Sequence, residues 1–133
     1  MFEEEKISNI VKIFDSGKTQ QAITELLKLI KKYPDKLEYT FLYGKMCNSL
    51  NRLDEAAEAC MKMLSIDEKD TDAINAMGTI FEKKGHYERA KSYFLMALDI
   101  NNNLFLPKIN IATIYQKELQ SKILIMNELK KLL

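Results

Sequence analysis

The chain repeats itself every 34 residues, and few architectures are compatible with such a period. Windows 3–36, 37–70 and 71–104 each carry alanine at the twentieth position: Ala22, Ala56 and Ala90. The fifteenth position holds Gly17, Asn51 and Gly85. The eighth holds Ile10, Gly44 and Gly78, and the pattern continues into Ala112 beyond the third window. The eleventh runs Ile13, Cys47, Phe81 and Tyr115, and the twenty-eighth Ile30, Leu64 and Leu98. Only four glycines and two prolines interrupt the chain, and strand-like alternation of β-branched residues is nearly absent. The expectation is an all-α protein built from helix pairs with short turns.

Each recurrence has a physical reason. A residue that ends the first helix of a pair must enter the left-handed region, which Gly and Asn do at least cost. Small residues at positions eight and twenty let two helix backbones approach closely. Large apolar residues at positions four, seven, eleven, twenty-four, twenty-seven and twenty-eight fill the space around that contact. Lys31-Lys32, Lys83-Lys84 and Lys130-Lys131 fall at expected helix carboxyl ends, and Glu4, Glu38 and Asp72 at amino ends, the arrangement the helix dipole favours. Asp35 followed by Glu38 has the spacing of a capping box opening the third helix.

These residues resemble tetratricopeptide repeats (TPRs). The third window fits best, with Ile74, Met77-Gly78, Phe81, Gly85, Tyr87, Ala90, Phe94 and Ala97-Leu98 at the family's positions. The second follows with Tyr43-Gly44, Cys47, Asn51, Leu53, Ala56, Cys60 and Met63-Leu64. The first departs at Lys6 and Asn9 but keeps Gly17, Ala22, Leu26 and a closing Pro34. The resemblance implies an α–α superhelix, a TPR solenoid of three helix-turn-helix repeats plus a terminal helix, forming a single domain over 1–133.

A fourth window begins normally with Ile111-Ala112 and Tyr115, then puts Leu119 where the turn glycine belongs and Leu124 where alanine belongs. An apolar stripe runs on through Ile111, Tyr115, Leu119, Ile123, Met126 and Leu129. One long capping helix over 105–133 is expected, against the alternative of a break near Gln120-Ser121 and a degenerate second helix. Pro107 suits the first turn, where its missing N–H costs nothing.

The charge balance, 20 basic against 19 acidic residues, offers neither nucleic acid nor an anionic membrane a one-sided basic surface. Met1-Phe2-Glu3-Glu4-Glu5 is acidic where a secretory signal is basic and then apolar. No apolar run approaches the ~20 residues of a membrane span. Two cysteines without a disulfide framework fit a reducing compartment, so a cytoplasmic setting is expected.

No residue set reads as a catalytic, cofactor or metal site. His86 is the one histidine and falls in a tight turn, which leaves no partner for a triad or a histidine-based metal cluster. Cys47 and Cys60 take inward-facing repeat positions, where a free thiol packs as a small apolar group. Gly17-Lys18-Thr19 lacks the first glycine and the strand of a phosphate loop. Met61, Met63, Met77 and Met96 sit at core or near-core spacing.

The resemblance does imply a binding surface. In TPR proteins the first helices of successive repeats line a concave groove through positions two, five, nine, twelve and thirteen. Here those positions are Glu4, Ile7, Val11, Phe14 and Asp15, then Glu38, Phe41, Lys45, Asn48 and Ser49. The third repeat offers Asp72, Asn75, Thr79, Glu82 and Lys83, and the last helix Leu106, Ile109, Thr113, Gln116 and Lys117. A peptide groove is expected from Ile7, Val11, Phe14, Phe41, Lys45, Asn48, Asn75, Thr79, Glu82, Ile109, Thr113 and Gln116. Phe41 would anchor a ligand, and Asn48 and Asn75 would grip an extended backbone through donor and acceptor together. Acidic peptides are expected to bind poorly, because Lys45, Lys83 and Lys117 are offset by Glu4, Asp15, Glu38, Asp72 and Glu82. The resulting expectation is a non-enzymatic adaptor or scaffold for protein binding, monomeric and without cofactor. Two alternatives stand beside it: a client-specific chaperone, and a structural subunit self-associating through Leu124, Ile125, Leu132 and Leu133 of the terminal helix.

Overall fold

A computed structural model describes residues 3–133. Met1 and Phe2, part of the expected domain span and of the acidic amino-terminal segment, lie outside the described residues. Among the described residues there are seven helices and no strand: α1 (Glu3–Asp15), α2 (Thr19–Lys32), α3 (Leu37–Ser49), α4 (Leu53–Ile66), α5 (Thr71–Lys83), α6 (Tyr87–Ile100) and α7 (Phe105–Leu132). They pack as two compact units, one reaching Ile66 and the other spanning Asp67–Leu133.

The pair-closing turns form as the sequence requires. Gly17, Asn51 and Gly85 have φ of 94°, 62° and 81°. Asn51 and Gly85 each sit in a Schellman arrangement. Arg52 N–H donates to the Cys47 carbonyl (2.8 Å) and Asn51 N–H to Asn48 (3.1 Å); His86 N–H donates to Phe81 (2.9 Å) and Gly85 N–H to Glu82 (2.9 Å). The linkers between pairs also recur in register. Lys36, Asp70 and Leu104 donate their N–H groups to the carbonyls of Tyr33, Asp67 and Asn101. The Asp67 and Asn101 side chains accept in addition from Lys69 N–H and Asn103 N–H, both at 3.0 Å.

One local expectation fails. The residue capping α3 is Lys36, with no side-chain cap bond, so Asp35 and Glu38 do not form a capping box. The cap of this kind appears at α5, where the Asp70 carboxylate accepts from Ala73 N–H at 3.1 Å.

In the first unit, Ile10, Ala22, Ile23, Leu26, Tyr39 and Met46 form a buried cluster with Ile7, Val11, Ile13 and Phe14 packed against it. Gly44 lets α4 come close enough that an added Cβ would lie 3.3 Å from that of Ala59. In the second unit, Ala90, Phe94 and Ile114 are wholly buried, with Phe81, Tyr87 and Ile111 against them. Gly78 is more constrained than Gly44: a Cβ there would stand 2.4–2.8 Å from three Phe94 ring atoms. The ring therefore lies directly on the α5 backbone, which explains why position eight of this window must be so small. Met63 and Met77 are buried as expected, but Met61 and Met96 are about half exposed and belong to outer helix faces.

α7 is a single helix of 28 residues, twice the length of α6, with no break at Gln120-Ser121. Its first half docks on α5 and α6 through Pro107, Ile111 and Ile114. Lys91 on α6 fastens it further, with Nζ 3.2 Å from Glu118, 2.8 Å from Glu88 and 4.8 Å from the Tyr115 ring centroid. From Leu119 onward every residue is exposed, so Leu119, Ile123, Met126 and Leu129 of the expected apolar stripe are not covered by the described residues.

Candidate binding surface on the first helices

In the first unit the surface is built on α1 and α3. Ile7, Val11 and Phe14 are half-buried and double as packing for the core beneath, whereas Glu4 and Asp15 are exposed. On α3, Phe41 is half-buried, Lys45 exposed and Asn48 half-buried, at helical spacings that stack them along one stripe. The Lys45 ammonium stands 5.5 Å from the Phe41 ring centroid, a cation over an aromatic face. Ser49 turns inward to its own helix, its Oγ donating to the Met46 carbonyl at 2.9 Å.

In the second unit the surface is built on α5 and α7, joined by two polar rungs. Asn110 Nδ2 donates to Asn75 Oδ1 at 3.2 Å, and Lys117 Nζ donates to Glu82 Oε2 at 2.8 Å. Both pairs are 35 residues apart, position five with six and twelve with thirteen of the next window. The contact with Glu82 raises the Lys117 pKa against the opposing effect of burial, so this lysine stays charged and committed to its partner. Thr79 and Thr113 bond back to Ala76 and Ile109 carbonyls at 2.8 and 3.0 Å. Ile109, Leu106 and Gln116 are exposed. The carbonyl oxygen of Asn75 thus already accepts one hydrogen bond from Asn110, a residue outside the expected set. The 35-residue offset between first helices was the sequence signal that could have found it.

The remaining polar cluster in the first unit is structural. Tyr43 Oη donates to Glu55 Oε2 and Arg52 Nε to Glu55 Oε1, each at 2.9 Å, tying α3 to α4. Arg52 foremost, and Tyr43 with it, hold the Glu55 carboxyl below its usual range. Burial pushes the neighbouring Cys47 thiol up, against the opposing hydrogen bond from Tyr43. Cys47 and Cys60 are both free and buried. A protonated, enclosed thiol is a poor nucleophile, in keeping with the packing role expected for Cys47. Among the described residues no group of three or more His, Cys, Asp or Glu is placed to hold a metal, and no helix is long and apolar enough to cross a membrane.

Helix pairs of this length, closed by left-handed turns at position fifteen and packed through small residues at eight and twenty, define a tetratricopeptide-repeat protein, a class of protein-interaction modules. More narrowly, residues 4–122 match the family model described as Psidin, N-terminal TPR repeats region, and the chain belongs to that family. No curated protein sequence matches it. Among solved structures it is similar to the first TPR of Spaghetti (RPAP3) bound to the HSP90 peptide SRMEEVD, with TM-score 0.73, 19% identity, and 86% of this chain and 90% of that one covered. The first TPR domain of human RPAP3 gives 0.74, 19%, 88% and 92%. The type III secretion translocator chaperone SycD of Yersinia enterocolitica, in an alternative dimer, gives 0.74, 16%, 86% and 92%.

Proposed function

We propose that this chain is a protein-interaction adaptor that holds a polypeptide segment against the outward faces of its first helices. The observation that carries the reading is the α3 stripe of Phe41, Lys45 and Asn48: an aromatic ring, a cation above it and an amide one turn on, none fully buried. An aromatic supplies binding energy at low entropic cost, and the amide can meet a ligand's main chain through its nitrogen, its Oδ1 being buried. Ile7, Val11 and Phe14 supply its apolar floor on α1. Within the second unit, Asn75, Thr79 and Glu82 on α5, with Ile109, Thr113 and Gln116 on α7, offer a surface of their own. The reading treats 1–133 as one binding module in a reducing, cytoplasmic setting, where its two buried thiols stay reduced.

The ligand differs in charge from the acidic peptides SRMEEVD and SGPTIEEVD seen with the Spaghetti and human RPAP3 domains. Lys117 is already neutralised by Glu82, and Glu4, Asp15, Glu38 and Asp72, each on a first helix of its repeat, are exposed. An extended segment of neutral or mildly basic character fits better.

Changing Phe41→Ala together with Asn48→Ala should weaken capture of the polypeptide that co-purifies with the native chain by roughly 30-fold, the equivalent of one hot spot of about 2 kcal/mol. The circular dichroism spectrum should be unchanged, and neither acidic peptide should compete at physiological salt. Undiminished capture by a folded double variant would refute the assignment. One co-purifying polypeptide in stoichiometric amount would point to a client-specific chaperone; several would point to an adaptor.

A further inference from the structure

We infer that the second half of α7 is a self-association surface, pairing antiparallel with the same segment of a second copy of this chain. Tyr115, Leu119, Lys122, Met126, Leu129 and Leu133 recur at alternating spacings of four and three, a heptad seam lying along one line of the helix. The five apolar members are each more than half exposed, with Leu119 at 58% and Leu129 at 55%. Apart from Tyr115, whose ring Lys91 of α6 approaches, this face lies beyond the segment that α5 and α6 cover.

The pattern is complementary to its own reverse. An antiparallel pair with its two-fold axis level with Leu124 sets Leu119 against Leu129 of the second copy, Tyr115 against Leu133, and Lys122 against Met126. Ile123 then meets Ile123 on one flank of the seam, and Ile125 meets Ile125 on the other. The single cation in the seam fixes the direction. A parallel pair in register would press Lys122 on Lys122, whereas the antiparallel one lays its stem along a thioether and lets the ammonium reach water. Seven apolar side chains, each with on the order of 100 Å² to remove from water, give about 700 Å² per copy, close to the ~800 Å² each partner contributes to a standard interface.

Other occupants fit less well. One apolar groove, a cavity of about 400 Å³ between α1 and α2 floored by Ile10, Ile13 and Leu29, is rimmed by Lys6, Lys28 and Lys32 against the single carboxylate of Glu25, a net positive rim. It would repel Lys122, Lys130 and Lys131 of an incoming α7, which disfavours head-to-tail assembly. A lipid surface would have to take Lys122 at the middle of the apolar face.

Light scattering of the full chain from about 1 to about 300 µM should show a monomer–dimer equilibrium. Met126→Lys places like charges together twice and should weaken dimerisation at least tenfold. Met126→Glu places a carboxylate against Lys122 of the second copy and should leave it within about threefold of the parent. Phe41→Ala with Asn48→Ala should leave the dimer intact, which separates this surface from the peptide-binding one. A monomer at every concentration, open-ended oligomers, or equal effects of the two Met126 substitutions in folded protein would overturn the inference. So would sedimentation of a monomeric chain with phosphatidylserine vesicles, strengthened by Met126→Lys, which would assign the face to a membrane.

Discussion

Phe94→Ala should lower the unfolding free energy by about 4 kcal/mol, the middle of the range for removing a buried phenyl ring. Phe94 is wholly buried, in one cluster with Ala90 of its own helix and Ile114 of α7, and its ring rests on the α5 backbone at Gly78. Those neighbours set the magnitude. A cavity costs less when surrounding side chains can collapse into it, but glycine and alanine have nothing to offer. The vacated space would also border Ile114, so α7 should lose part of its seat. Urea unfolding followed by circular dichroism measures the loss, and a change below 1 kcal/mol would mean that the second unit is not centred on this ring.

The complementary change, Gly78→Ala, should cost about 2 kcal/mol although alanine is the better helix former by roughly 1 kcal/mol. The new methyl would stand 2.4 Å from the nearest Phe94 ring carbon, and a wholly buried ring has no free direction in which to move. Gly44→Ala is the control. Its methyl would meet Ala59 Cβ at 3.3 Å, a contact that small adjustment relieves, so the propensity gain should leave stability nearly unchanged. Combining Gly78→Ala with Phe94→Leu should cost less than the two separate losses added together, because the smaller side chain admits the methyl. Strict additivity would show that the clash is relieved elsewhere. Both predictions concern the same device, a residue without a side chain that allows a ring to serve three helices.

Most of the architecture could be read from the sequence because the period repeats three times in register. Ala22, Ala56 and Ala90 are all buried, and Gly17, Asn51 and Gly85 all adopt the left-handed conformation that their position demands. Errors arose where a decision rested on one window alone. Asp35 and Glu38 had the spacing of a capping box, but spacing does not fix which residue takes the cap conformation, and Lys36 does. Met61 and Met96 had near-core spacing yet lie on outer faces, since methionine is apolar enough for a core and flexible enough for a surface. The proposed binding surface was only partly legible. Phe41 stands out as an aromatic off the inward stripe, but the engagement of Asn75 by Asn110 and of Glu82 by Lys117 depends on α5 and α7 lying side by side. The exposure of Leu119 to Leu133 was hidden for a different reason: an apolar stripe has the same sequence pattern whether or not its own chain covers it.

The central claim, that the first helices present the surface on which another polypeptide is held, is tested most directly by mapping backbone amide chemical shifts as the co-purifying polypeptide is added. The account predicts that the largest changes fall on α1, α3, α5 and the first half of α7, with Phe41, Lys45, Asn48 and Asn75 among them. Changes confined to α2, α4 and α6 would contradict it.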